Sequence, residues 1–424
     1  MTTGLERSVG CTIVSKNYFA YAKTLAESFL VCNPGHDFYI LVVDRDTDRA
    51  RFVHPGAQVI FLADLYPQDY LQHAFRFDIL ELNTNVKPGL LQHLLKQGYP
   101  AAYYFDPDIY CYRPVATLDE ALSSNNILLT PHALLPTPDD GLRPVDRDFL
   151  KCGVYNLGFV GTRNTSEGRR FLSWWEHRCL TEGFSEPGLG VFVDQRWIDL
   201  VPCYFSGVNV YRNPGCNTAY WNLHERKLLY AEPAPLVESS GGTAELIFFH
   251  FSGFDPQAPG AISKHQNRFS LQQRPDLKAL FEAYAERLLG NGYVNYKSEP
   301  YGFAIFTNGG RISPTLRRYY SQLPELAAEP DPFAAASVTH GFAKRNRLVA
   351  NGPPSGLGRL NSLTVDERGD VRLRVFGRAL RLLLLLLGPT RFELVSKLMR
   401  NYGIPNNQAR IMFPERDGSS RGKS

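Results

Sequence analysis

Ala101-Ala102-Tyr103-Tyr104-Phe105-Asp106-Pro107-Asp108-Ile109-Tyr110-Cys111-Tyr112 is the stretch that decides the architecture. Ala101 to Phe105 is continuously apolar, the pattern of a strand buried on both faces. Upstream, Cys11 to Ser15, Phe38 to Asp44 and Gln58 to Leu62 read as strands, with a helical pattern from Tyr18 to Val31 between the first two. A second helical stretch, from about Ala74 to Lys96 with a break at Pro88, leads back into Ala101. Apolar strands separated by helices predict a parallel sheet covered on both faces. Ligands of such sheets sit at the carboxyl ends of the strands. Here that end is Asp106-Pro107-Asp108.

Downstream the pattern predicts strands at Asn126 to Thr130, Tyr155 to Gly161, Val208 to Tyr211 and Leu246 to Phe251, and helices at Ser166 to Thr181 and Pro275 to Leu289. Pro131 to Arg147 reads as a loop, and Gly352-Pro353-Pro354-Ser355-Gly356 as a linker. The expected organisation is a catalytic domain over 1–265 and a helical part packed on it over 266–350. A basic, Leu-rich helical extension follows over 351–413, then a disordered tail over 414–424.

With 424 residues, 44% of them hydrophobic and 21% charged, the chain is ordinary globular material, which excludes wholesale disorder and coiled coil. The net charge of +4 is too balanced for nucleic-acid binding by bulk electrostatics. Seven widely spaced cysteines without a C-x-x-C pair argue against a disulfide framework or a structural zinc site, and fit a reducing cytosol. Met1 to Lys16 does not read as a secretory signal, and Leu382 to Leu387 is too short to span a membrane.

Residues i and i+2 of an extended segment point to one side, so Asp106 and Asp108 are expected to offer two carboxylates to one hard cation. The D-x-D pattern alone is weak, because Asp44-Arg45-Asp46, Asp46-Thr47-Asp48 and Asp146-Arg147-Asp148 share it. The setting separates Asp106-Pro107-Asp108, since carboxylates flanked on both sides by apolar strand require a partner. The alternative is a structural turn.

Tyr103-Tyr104-Phe105-Asp106-Pro107-Asp108-Ile109, Tyr155-Asn156-Leu157-Gly158, Asp194-Gln195 and His250-Phe251-Ser252-Gly253, in that order after an apolar first strand, resemble the retaining glycosyltransferases of family 8. Glycogenin and the bacterial lipopolysaccharide galactosyltransferases belong to that family. The resemblance spans roughly residues 9 to 265 and implies the GT-A fold, a Rossmann-like α/β architecture with a mostly parallel sheet. It implies a nucleotide-sugar donor, UDP first, and a Mn²⁺ or Mg²⁺ ion held by Asp106, Asp108 and His250. An imidazole closing the apolar run Ile247-Phe248-Phe249 can complete a site that two carboxylates begin.

The resemblance further implies that Ser15, Asn17 and Tyr18 hold the base, with Gly158 and Gly253 beside the donor. Asn156 then meets sugar hydroxyls, and Asp194 and Gln195 border the transferred sugar. The family's diphosphate-binding lysine has no counterpart just after His250; Lys264 and Lys87 are the candidates. Asn217 and Trp221 lie where an acceptor or donor loop is expected, and Ser15 stands where many members carry an acid. Each of these residues also has a structural reading: a lone core histidine, an Asn-x-Gly turn, a helix cap at Asp194, an exposed lysine.

The implied acceptor is a glycan, a lipid-linked molecule or a protein. Two other classes remain open, a sugar-nucleotide nucleotidyltransferase and a non-catalytic sugar-nucleotide binding module. From Asp366 to Ser424 the chain carries 12 Lys/Arg against 6 Asp/Glu, around the leucine run, so the cytoplasmic protein is expected either to touch an anionic membrane surface there or to pack those leucines on the catalytic domain.

Overall fold

The computed structural model describes residues 7–350 and 371–413; the expected linker at 352–356 and tail at 414–424 lie outside the described residues. The chain forms two compact units, Met1–His73 with Ile79–Gly302, and Ala74–Asp78 with Phe303–Ser424. Residues 266–302 therefore fold with the first unit.

The first unit is α/β. β1 (Val9–Val14), β2 (Asp37–Val42), β3 (Gln58–Phe61), β4 (Ala101–Phe105), β6 (Ile127–Pro131), β7 (Tyr155–Arg163) and β8 (Val208–Val210) form a seven-stranded sheet in the order β8-β6-β7-β4-β1-β2-β3. β1, β2, β3 and β4 run parallel and β8 runs parallel to β6, while β7 is antiparallel to both β4 and β6. The sheet is thus mostly rather than wholly parallel. Every residue of β1 and β4 is buried, as strands covered on both faces require.

Helix α1 (Phe19–Cys32) packs on β1 and β2. The expected helical stretch before β4 is broken twice: residues 74–76 end a separate helix (Tyr70–Arg76), residues 77 and 78 are not helical, and the rest is divided at Val86 rather than Pro88, into α2 (Ile79–Asn85) and α3 (Lys87–Lys96). Pro88 lies in the first turn of α3, where a missing N–H costs no intrahelical bond. α3 packs on β4 and on α4 (Ser166–Glu182).

A second, three-stranded sheet creates the site. β5 (Ile109–Cys111) pairs antiparallel with β10 (Phe248–His250), which pairs parallel with β9 (Thr218–Ala219). Phe105, Phe159 and Phe248 join the two sheets through ring contacts of 5.1–5.5 Å. On the other side of β10, Phe249 and Phe251 pack on α5 (Lys278–Gly290), where the Phe251 and Tyr284 rings stack at 3.7 Å.

In the second unit, α6 (Pro314–Gln322) points the Arg317 guanidinium at the carbonyls of Ala74, Phe75 and Phe77 at 2.7–3.0 Å. That bonding, with Phe75 packed on Tyr320 and Phe333, explains why a five-residue segment belongs with residues more than 200 positions later. α7 (Val371–Tyr402) ends the described chain with a short helix, and is interrupted at Gly388, whose φ of 70° is non-helical. The seven cysteines are free.

Candidate active site

Asp106, Pro107 and Asp108 do not continue the strand. Asp106 N–H donates to Gly158 O at 2.7 Å and Asp106 O accepts from Ile109 N–H at 3.0 Å, a tight turn with Pro at its favoured second position. The turn carries the chain out of the large sheet into β5, so the carboxylates converge through chain reversal rather than strand alternation. Antiparallel pairing then sets His250 opposite Ile109. His250 Nε2 lies 2.9 Å from Asp108 Oδ1 and 3.7 Å from Asp106 Oδ2. The three side chains offer ligand atoms all within 4.8 Å of one another.

The cluster is held from behind. Tyr104 Oη–H donates to Asp106 Oδ1 at 2.8 Å, which leaves Oδ2 on the His250 side. Lys87 Nζ sits 4.2 Å from the Tyr104 ring centre. Gly158 is required by the imidazole itself: a Cβ there would meet His250 Cε1 at 2.3 Å, so the close approach is that of a side chain of this chain. Burial disfavours charge on the His250 ring, but the facing Asp108 and Asp106 carboxylates outweigh it and hold its pKa above the ordinary value.

Lys87 and Asp194 form a buried ion pair at 2.7 Å, each side chain about 2% exposed, with Lys87 also donating to Leu157 O at 2.7 Å. Lys87 is thus far from the exposed lysine of the structural reading. Burial pushes the Asp194 carboxyl up to about 6 against the opposing pull of Lys87. Gln195 Oε1 accepts from Leu157 N–H at 2.9 Å and its Nε2 donates to Cys152 O at 3.0 Å. Its amide spans two backbone segments, and one lone pair and one N–H remain.

Asn156 is committed more fully. Its Oδ1 accepts from Gly158 N–H at 3.1 Å and from Asn217 Nδ2 at 2.9 Å, and its Nδ2 faces His132 Nε2 at 3.2 Å. Gly253 holds a φ of 73°, and a Cβ there would meet His265 and Ser263 within 2.6 Å, so this glycine is required by its own loop. Lys264 is exposed, whereas the neighbouring His265 ring packs on Gly253 and feels the Asp108 charge.

A cavity of about 380 Å³ opens beside the carboxylates. Ser15, Asn17 and Tyr18 line it, together with Ile79, Asn83 and Tyr104, to which the sequence assigned no role. Asn83 Nδ2 donates to Ile79 O at 2.7 Å and to Ser15 Oγ at 3.3 Å. Asn83 Oδ1 and Asn17 Oδ1 have no hydrogen-bond partner among the described residues. Tyr18 is 40% exposed, with its ring stacked on Tyr21 at 4.8 Å. A larger cavity of about 650 Å³, lined by Tyr110, Tyr112 and Arg287 among others, contains none of the three clustered residues.

No protein-family model matches the chain. It is 27% identical over 286 residues to the uncharacterized protein YfnF of Bacillus subtilis (strain 168), covering 66% of this chain and 91% of that protein. It is 27% identical over 250 residues to YfnD of the same organism, covering 57% and 76%. Among solved structures it is similar to the galactosyltransferase LgtC in complex with donor and acceptor sugar analogues, with 14% identity, a TM-score of 0.37, and 67% of this chain and 95% of that one covered. A bifunctional glycosyltransferase, WbbM, gives 13%, 0.38, 70% and 50%, and mouse xyloside xylosyltransferase 1 gives 13%, 0.34, 57% and 96%.

Proposed function

We propose that this protein is a divalent-metal-dependent, retaining glycosyltransferase that moves a sugar from a nucleotide diphosphate, UDP first, to a glycan, lipid-linked or protein acceptor. The observation that carries the reading is the Asp106, Asp108 and His250 cluster at the carboxyl end of β4, whose two aspartates line a 380 Å³ cavity. Two carboxylate oxygens and one imidazole nitrogen suit Mn²⁺ or Mg²⁺, which Asp106, Asp108 and His250 would hold beside the cavity. When bound, such an ion neutralises charge on the departing diphosphate.

The chain's own groups supply the rest of the reading. Ser15, Asn17 and Asn83 line the place for a base, and the Tyr18 ring offers a stacking face. Asp194, fixed by Lys87, and the remaining capacity of Gln195 lie against the transferred sugar, where positive charge develops. Gly158, Gly253 and Lys264 shape this region through backbone and loop geometry.

The test is a panel of UDP-, CDP-, GDP- and dTDP-sugars incubated with the protein and Mn²⁺, read as slow transfer to water. One donor is expected to release its nucleoside diphosphate, with the first sugar product in the donor's anomeric configuration by proton NMR. No release from any donor, or an inverted first product, overturns the reading.

A peripheral membrane contact belongs to the same proposal. Among the described residues no helix is long and apolar enough to cross a membrane. Leu385 and Leu386 of α7 are 75% and 74% exposed. Arg378, Arg381, Arg391, Lys397 and Arg400 flank it against a single Glu393, a charge pattern that repels a second copy and suits anionic lipid. Co-sedimentation with phosphatidylglycerol vesicles is expected for the full chain, with at least a tenfold loss for Leu385→Asp/Leu386→Asp. Equal pelleting of both proteins would remove this part of the proposal.

A further inference from the structure

Four buried side chains form one directional chain that ends on the candidate metal ligand. Gly158 N–H can only donate, so the Asn156 atom 3.1 Å from it is an oxygen and Asn156 Nδ2 faces His132. His132 Nε2 therefore accepts at 3.2 Å, which places the His132 proton on Nδ1, next to Val154 O at 3.3 Å. A carbonyl can only accept, so the assignment closes at that end. Burial pushes the His132 pKa down to about 4, consistent with a ring carrying one proton.

From the other side, Asn156 Oδ1 accepts from Asn217 Nδ2 at 2.9 Å, and Thr130 Oγ1 takes that amide's second N–H at 2.9 Å. Asn217 Oδ1 is left facing His250 Nδ1 at 3.1 Å. Two backbone groups, neither able to reverse its role, thus fix the polarity of the whole chain.

The placement is built, not incidental. Asn217 holds a φ of 53°, a left-handed conformation that asparagine tolerates better than most residues. Asn222 Nδ2 donates to the carbonyls of both Asn217 and His132, at 3.0 and 2.9 Å, tying the two segments together. Arg226 donates to Pro214 O and Cys216 O, holding the loop that carries Asn217. His132, Asn156, Asn217 and Asn222 are all at most 8% exposed.

We infer that Asn217, set by Asn156 and His132, is a positioning residue that keeps the His250 proton on Nδ1 and so reserves Nε2 for the metal facing Asp106 and Asp108. The inference rests on the metal reading above, and it reassigns Asn156 from touching sugar to orienting a ligand through its neighbour. Groups that hold the far nitrogen of a metal-ligating imidazole typically change metal affinity by about 10- to 100-fold.

The decisive variant is Asn217→Gly, which accepts the same backbone conformation while removing the amide; Thr130→Val removes a neighbouring bond and leaves the chain to His250 intact. Mn²⁺ affinity of the folded proteins, read by electron paramagnetic resonance, is expected to fall about 10- to 100-fold in Asn217→Gly and less than about threefold in Thr130→Val. In ¹⁵N-detected imidazole spectra of the wild type, His250 Nδ1 is expected to keep its proton both metal-free and with saturating Mg²⁺, and to lose this slowly exchanging signal in Asn217→Gly. Unchanged Mn²⁺ affinity in folded Asn217→Gly, or a wild-type Nδ1 without a proton, overturns the inference. If wild-type protein binds no Mn²⁺, the metal reading falls, while the Nδ1 signal in metal-free protein still decides what Asn217 does.

Discussion

Asp108→Ala is expected to fold normally and to lose donor turnover by at least about 100-fold, the loss typical when one electrostatic partner of a developing charge is removed. EDTA treatment of the wild type is expected to do the same, and added Mn²⁺ to restore only the wild type. The reason lies in the geometry. Asp108 Oδ1 is 2.9 Å from His250 Nε2, so the carboxylate and the imidazole face one small volume, and two of the three ligands cannot hold a hard cation with the same affinity. The Asp108 side chain is 18% exposed toward the cavity rather than part of the core, so truncation leaves the sheets intact. Asp106→Ala and His250→Ala are expected to behave alike, with His250→Ala less stable because that side chain is 3% exposed and packs on Gly158 and Trp221. Steady-state assays with and without metal decide the matter; full turnover in EDTA, or a wild-type rate in Asp108→Ala, excludes a metal at this cluster.

Lys87→Met carries the second large effect, this time on stability. Lys87 and Asp194 are both about 2% exposed and 2.7 Å apart, and removal of the lysine leaves the buried Asp194 carboxylate without its counter-charge and Leu157 O without its donor. Breaking a buried pair from one side costs about 3–5 kcal/mol. The double variant Lys87→Met/Asp194→Leu, which removes both charges, is expected to regain most of that loss, because desolvation of two ions offsets much of their attraction. Urea unfolding of the two variants and the wild type measures this; a double variant no more stable than Lys87→Met would show that the pair is held by more than its charges. On the proposed placement of Asp194 beside the sugar, donor turnover is expected to stay low in the double variant even where its stability recovers.

Much of the site was legible because its residues announce themselves locally. Asp106 and Asp108 stand between two apolar strands, and a carboxylate in that setting needs a partner whatever the topology. The roles expected of His250 and of Ser15, Asn17 and Tyr18 came instead from the resemblance to a family, since a histidine closing an apolar run or polar residues after a strand do not by themselves point to one site. The β-strand and helix pattern from Val9 to Phe105 was readable locally: burial on both faces leaves runs with almost no polar residue.

Tertiary structure alone decided the rest. A strand pattern does not state its direction, so nothing local marks β7 as antiparallel. Periodicity suggested an extended D-x-D; the hydrogen bonds of Asp106 with Gly158 and Ile109 make it a turn, because the chain must leave one sheet for another there. Lys87 and Asp194 are 107 positions apart, and only the tertiary fold, in which α3 packs on β4 and α4, makes them partners. Tyr104, Asn83 and His132 have no linear signature beyond their residue type, and Asn217, expected in an acceptor or donor loop, faces His250 from a left-handed turn, the kind of signal a backbone reveals and a sequence does not. The sequence by itself determined which groups could carry the chemistry, since charge and burial pattern are properties of short stretches. The orientation of each group was decided by long-range hydrogen bonds, whose partners are set by strand register and loop closure rather than by neighbours in the chain.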